Sequence, residues 1–288
     1  MRRRAMKKDR DFSLVNCTMS GLLASILSVP LHEFFHFLTD KIYGIEVYWF
    51  TANAVESAGC DFMSLPPFHR AMAAGGSASI LNVIIAVILF FIIIRVKMKA
   101  QSRVFLIQYY ACHMCLGFGY FMINGIFGAF GDWGNVFAYF PESTVAVMRI
   151  VLGLLGSAGI LFAMFSLNYM SYYFIEDADD SKQRLHVGLG LHLLPFIVNA
   201  LFSFIIDMNS LLMRSGYFSE NIFFSIAVRF MFIPLFWAFM FTWKMVKPPK
   251  ESRFLYELPK KPNYILWTIT IILALIDLFV LAPGIRIS

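Results

Sequence analysis

Charge is what this 288-residue chain has least of. Asp, Glu, Lys and Arg make up 15% of it, against 59% for hydrophobic residues, and the mean hydropathy is +0.69. A soluble domain carries about 25% charged and about 45–50% apolar residues. The scarcity excludes a soluble enzyme and a disordered chain, because a chain this apolar needs lipid as its solvent. Cysteine is also scarce. Cys17, Cys60, Cys112 and Cys115, three of them in apolar stretches, imply no disulfide framework and exclude a disulfide-rich secreted module. Internal repeats and low-complexity tracts are absent. The net charge of +6 is parcelled into short loops rather than gathered on one face, so no nucleic-acid partner is expected.

What the chain has in abundance is long apolar runs. About 20 apolar residues cross a bilayer as a helix. Seven stretches qualify, at 13–38, 71–94, 104–130, 146–174, 187–211, 222–246 and 264–284. The fifth is interrupted by His192, Pro195, Asn199 and Asp207. The expected fold is an all-α integral membrane protein, a bundle of about seven transmembrane helices. The one sizeable loop, 40–70, alternates β-branched and aromatic residues in YGIEVYWFTANAVE and predicts a short β-hairpin. Residues 1–12 read as a basic N-terminal segment, 13–140 as a three-span core, and 141–288 as four further spans without a legible motif. The first apolar stretch is long for a signal peptide, and no convincing A-x-A site follows it.

Basic residues orient the bundle. The N-terminal segment, the 95–103 and 175–186 loops and the 244–261 region together hold 18 Lys and Arg, and the opposite side holds four: Lys41, Arg70, Arg214 and Arg286. The positive-inside rule therefore predicts a cytoplasmic N-terminus and an outer C-terminus, in a multi-pass protein of the plasma membrane.

The motif that carries chemistry is VPLHEFFHFLTD, at the end of the first span. His32-Glu33-Phe34-Phe35-His36 is an H-E-x-x-H. On a helix, i and i+4 share a face one turn apart, so both imidazoles can hold one Zn²⁺. Glu33 is then beside a water whose pKa the metal lowers towards about 7, and its carboxylate can take the proton. Two His and a Glu inside an apolar helix are costly to bury, which favours function over packing. The bland alternative is a cluster of helix-end side chains facing headgroups and water.

A catalytic zinc needs a third protein ligand and an open position. Asp132, His113, Asp207 and His192 are the candidates. Spans one and three both run outwards, and Asp132 follows the outer end of span three at the level of the His pair. His113 falls near the middle of its span. Asp207 is not excluded by depth. Asp132 is the preferred ligand.

With these residues in view, the chain resembles the site-2 protease family of intramembrane zinc metalloproteases. In that family the first core helix carries H-E-x-x-H, the second has small residues and an Asn, and the third an N-x-x-P-x-x-x-x-D-G type motif whose Asp ligates zinc. Here span one has HEFFH, span two has AAGGSASILN with Gly75, Gly76 and Asn82, and span three has NGIFGAFGDWG with Asn124 eight residues before Asp132. The resemblance covers about residues 13–140. It departs at Phe127, where the family has Pro, and at Trp133, where it has Gly. The site also falls nearer the outer face, whereas family members usually place it towards the cytosol. The resemblance implies a zinc endopeptidase with Glu33 as catalytic base, His32, His36 and Asp132 as ligands, and Asn124, Asn82 and Gly76 as candidate substrate-binding residues. Its partner would be a transmembrane or membrane-adjacent protein substrate.

Other features admit other readings. Gly75 and Gly76 suit close helix packing as well as a substrate role. Asn82 suits a bond across helices as well as support of the site. Cys112-His113-Met114-Cys115 has metal-like spacing but reads first as small buried residues. Pro30 predicts a kink two residues before the motif. Asp207 and Asp277, with spans broken by Gly and Pro, fit a transporter or channel. A catalytically silent scaffold that keeps the metal-site fold is the third alternative.

Overall fold

A computed structural model describes residues 10–57, 61–128, 131–210, 245–246 and 255–288. Six helices among them are long and apolar enough to cross a membrane: α1 (Ser13–Ile42), α2 (Pro67–Arg95), α3 (Ala100–Phe127), α5 (Glu142–Phe174), α6 (Ser181–Asn209) and α7 (Tyr264–Leu281). A short helix, α4 (Gly131–Phe137), follows α3. The expected span 222–246 lies outside the described residues except for its last two. The chain is a helical membrane bundle, as its composition predicts.

Helix bounds differ from the expected ones for local reasons. α1 runs unbroken through Pro30 to Ile42, four residues past the expected end. α6 starts at Ser181 rather than 187, because the Asp180 carboxylate accepts from the Lys182 and Gln183 backbone N–H groups and caps a polar first turn. α3 stops at Phe127, short of 130, because Gly128 takes φ +90°. α2 begins early at Pro67, a residue suited to a first helical position.

α1 is the hub, packed against α2, α3, α6 and α7. Gly21 lets α6 approach at Pro195, and the Gly21 carbonyl accepts from Asn199 Nδ2 at 3.2 Å. α3 and α5 cross at Gly125 and Gly153, with Gly156 against Met122 and Gly159 against Phe118. No added methyl fits at Gly125, Gly156 or Gly159, the usual way that helices gain van der Waals contact in lipid.

The two ends of the bundle are tied differently. At the N-terminal end Asn16 Nδ2 donates to the Pro259 and Lys261 carbonyls, and Asn16 Oδ1 accepts from Trp267 Nε1 at 2.9 Å. Arg103, counted above among the loop charges, is fully buried there. It donates to the Ile93 and Val96 carbonyls and lies over the rings of Tyr173 and Tyr256. At the opposite end the expected hairpin forms from β1 (Val47–Phe50) and β2 (Val55–Ser57). A third strand, β3 (Ile285–Arg286), pairs antiparallel with the other edge of β1, so the sheet order is β2-β1-β3. Residues 12 and 260 are therefore at one end, and the hairpin and Ser288 at the other.

Candidate metal centre

The centre is assembled from three places. α1 supplies His32 and His36 from consecutive turns of one face, near the hairpin end. At about 1.5 Å per residue, they are about 15 and 9 Å from Ile42. Thr39, one turn on, donates to Ser77 Oγ at 2.9 Å and ties α1 to α2. α4 supplies Asp132 in its first turn. Trp133, Val136 and Phe137 anchor α4 in a cluster with Ala74, Phe121 and Leu152.

α2 supplies the seat for Asp132. A wide π turn occupies Met72–Gly76, and Gly75 within it takes φ +133°. A Cβ on Gly75 would be 2.9 Å from the Asp132 carbonyl oxygen and 3.2 Å from Asp132 Cα. Both the backbone angle and the close approach require glycine.

The three side chains converge. His32 Nε2 is 3.0 Å from Asp132 Oδ2, His36 Nε2 is 3.2 Å from the same oxygen, and the two Nε2 atoms are 3.3 Å apart. One ligand atom from each residue thus lies within 4.8 Å of the others. Bonds of about 2.0–2.1 Å to a tetrahedral Zn²⁺ put neighbouring ligand atoms about 3.3 Å apart. The donor triangle has the size of one face of that tetrahedron, and its nitrogen and oxygen chemistry suits zinc. Withdrawal from solvent pushes the Asp132 carboxyl up. The facing His36 and His32 outweigh it and hold Asp132 well below the usual carboxylate range.

The surroundings are asymmetric. The His32 side chain is sealed at 2% exposure, while His36 and Asp132 keep 14% and 18%. A fourth ligand would approach from the His36 and Asp132 side. The Tyr120 ring stacks on His32, with centroids 5.5 Å apart. Glu33 is buried, within electrostatic range of all three.

The remaining candidates lie elsewhere or serve other roles. Asp207 Oδ1 accepts from Asn53 Nδ2 at 2.6 Å, at the hairpin. His192 Nε2 bonds Ser171 Oγ at 2.9 Å. His113 is buried against Asn82. Of the three candidate substrate residues, Asn82 contacts His32 directly, with its amide nitrogen 2.7 Å from Nδ1. Asn124 is buried and donates to the Tyr120 carbonyl one turn back. Gly76 is buried beside Trp133, where a Cβ would be 3.3 Å from the indole. Tyr120, Gly75 as the seat of Asp132, and Trp133 as its anchor were not assigned these roles from the sequence. Trp133 registered there only as a departure from the family pattern, and the other two contacts join residues on different helices.

Comparisons with family models, with curated proteins and with solved structures return no match for this chain.

Proposed function

We propose that the chain is a membrane-embedded zinc metalloprotease, of the site-2 protease type, which hydrolyses peptide bonds of transmembrane or membrane-adjacent proteins. The observation that carries this reading is the convergence of His32 Nε2, His36 Nε2 and Asp132 Oδ2 in one small triangle, with a buried carboxylate next in sequence to the first ligand. His32, His36 and Asp132 hold the metal. Bound there, zinc supplies Lewis acidity that polarises a carbonyl and makes a water acidic. Glu33 takes a proton from the attacking water and returns it to the leaving amine nitrogen. Asp132 keeps a negative ligand on the cation. Substrate approaches from the exposed His36 and Asp132 side, in locally unwound form, because a helix hides its peptide bonds.

The count of basic residues supports a cytoplasmic N-terminus. The hairpin, the site and Ser288 then belong to the outer half of a plasma-membrane protein.

Glu33→Gln provides the test. Wild type and variant are reconstituted with a single-span reporter whose transmembrane segment contains Gly and Pro. Both should hold one zinc per chain, and the variant should cut the reporter at least about 10²–10⁴-fold more slowly. Undiminished cleavage by a zinc-loaded Glu33→Gln protein overturns the reading. A zinc-loaded wild type that never cuts favours the silent scaffold.

A further inference from the structure

The polar chain behind His32 extends further than a metal centre requires. Asn82 of α2 is fully buried. Its Nδ2 donates to the Ala78 carbonyl at 2.7 Å and lies 2.7 Å from His32 Nδ1, on the side of the ring away from Asp132. Its Oδ1 bonds His113 Nδ1. His113, on α3, is also fully buried, and its ring packs edge-on against Tyr109 with centroids 4.4 Å apart. The other ring nitrogen, Nε2, is buried with no hydrogen-bond partner among the described residues. His113 therefore spends its one polar contact on Asn82, at the cost of an unsatisfied nitrogen inside an apolar bundle. Helix packing alone gives no reason for that expense. Phe or Leu would fill the volume without it.

An imidazole that gives Nε2 to a cation keeps its hydrogen on Nδ1. Whatever meets Nδ1 fixes the rotation and tautomer of the ring, and losing such a partner weakens metal binding by about 10–100-fold. Turned end for end, the Asn82 amide places Oδ1 where it accepts the His32 Nδ1 hydrogen and Nδ2 where it donates to His113 Nδ1, in exchange for its bond to the Ala78 carbonyl, so its orientation must in turn be held. Resting on the zinc reading above, we infer that Asn82 and His113 are positioning residues for zinc: Asn82 orients His32 across the α1–α2 contact, and His113 holds the Asn82 amide from α3. The pair couples three helices to one ligand. The affinity of the centre thus depends on the middle of α3, through a side chain that reaches His32 only by way of Asn82.

Zinc affinity of the purified full chain in detergent, by competition with a chromogenic chelator, tests this without any substrate. Asn82→Leu, branched at the same carbon but apolar, should bind zinc about 10–100-fold more weakly. Asn82→Asp, which keeps an oxygen for the Nδ1 hydrogen, should stay within a few-fold of wild type or bind more tightly. His113→Leu should weaken binding, His113→Gln should restore it, and the Asn82→Leu/His113→Leu double variant should be no weaker than Asn82→Leu alone. Thermal unfolding after chelation shows which variants fold. If Asn82→Leu does not, the His113 pair decides. Equal affinities for the Leu and Asp variants at 82, or for the Leu and Gln variants at 113, overturn the inference, because the site would then need only volume. Failure of wild type to bind zinc sinks the metalloprotease reading itself, a distinct outcome.

Discussion

α1 and α7 run parallel and touch, yet they handle the membrane in opposite ways. The buried face of α1 is mostly polar or small: Ser13, Asn16, Ser20, Ser25, Ser28, His32, Glu33, Thr39 and Asp40 are buried, while Leu27, Phe34, Leu38 and Ile42 are exposed. α7 leaves most of its large aliphatic side chains exposed, including Ile265, Ile269, Ile271, Ile272 and Leu275, exposes Phe279 as well, and buries Thr270 and Asp277. In water the apolar face goes inside. In lipid no such force sorts the faces, and the interior is where polar groups find partners. α1 can carry a His-Glu-His constellation because four other helices cover it. Among the described residues α7 packs mainly against α1 and the end of α6.

Substitutions in the two helices and in what supports them should separate accordingly. The largest effect belongs to the ligands. His36→Ala or Asp132→Ala should weaken zinc binding by more than about 100-fold, beyond the 10–100-fold cost of outer partners, as read by metal analysis of detergent-purified protein. Next comes the seat that α2 offers to Asp132. Gly75→Ala forces a side chain into φ +133° and against the Asp132 backbone. It should lower stability by about 1–3 kcal/mol in thermal unfolding and weaken zinc binding in parallel. The α1–α7 junction follows. Asn16→Leu leaves the Trp267 indole N–H without its acceptor and should cost about 1–3 kcal/mol, with no change in zinc affinity. The smallest effect is on the exposed face of α7. Ile271→Ala should change stability by no more than about 0.5 kcal/mol, since that side chain is half exposed. A large loss at Ile271, or none at Asn16, would erase the contrast.

What was legible in the sequence was local or spaced along one element. The His32–His36 pair follows from helix periodicity alone. Long apolar runs marked the six described spans, and β-branched alternation marked the hairpin. Asp132 was preferred on depth, which left Asp207 open, and the Asn124 spacing added to that preference. What escaped depends on contacts across helices. Gly75 looked like a packing glycine because its neighbour, Asp132, is 57 residues away in the chain. His113 and Asn82 each had two readings until α2 and α3 were seen to share them. Arg103 was counted as a loop charge, since nothing local marks it for burial under two tyrosines. β3 is two residues long, too short to show alternation, and its partner strand is more than 230 residues earlier.

That last strand has a practical consequence. Ile285 and Arg286 zip onto β1, and Ser288 Oγ donates to the Val47 carbonyl at 3.0 Å. Any purification handle or fluorescent fusion appended after Ser288 would emerge beside the hairpin, on the same side of the bundle as His36 and Asp132, and could crowd the approach to them or pull the strand away. A handle placed ahead of Phe12 sits at the far end, tens of ångströms along α1, and leaves that approach clear.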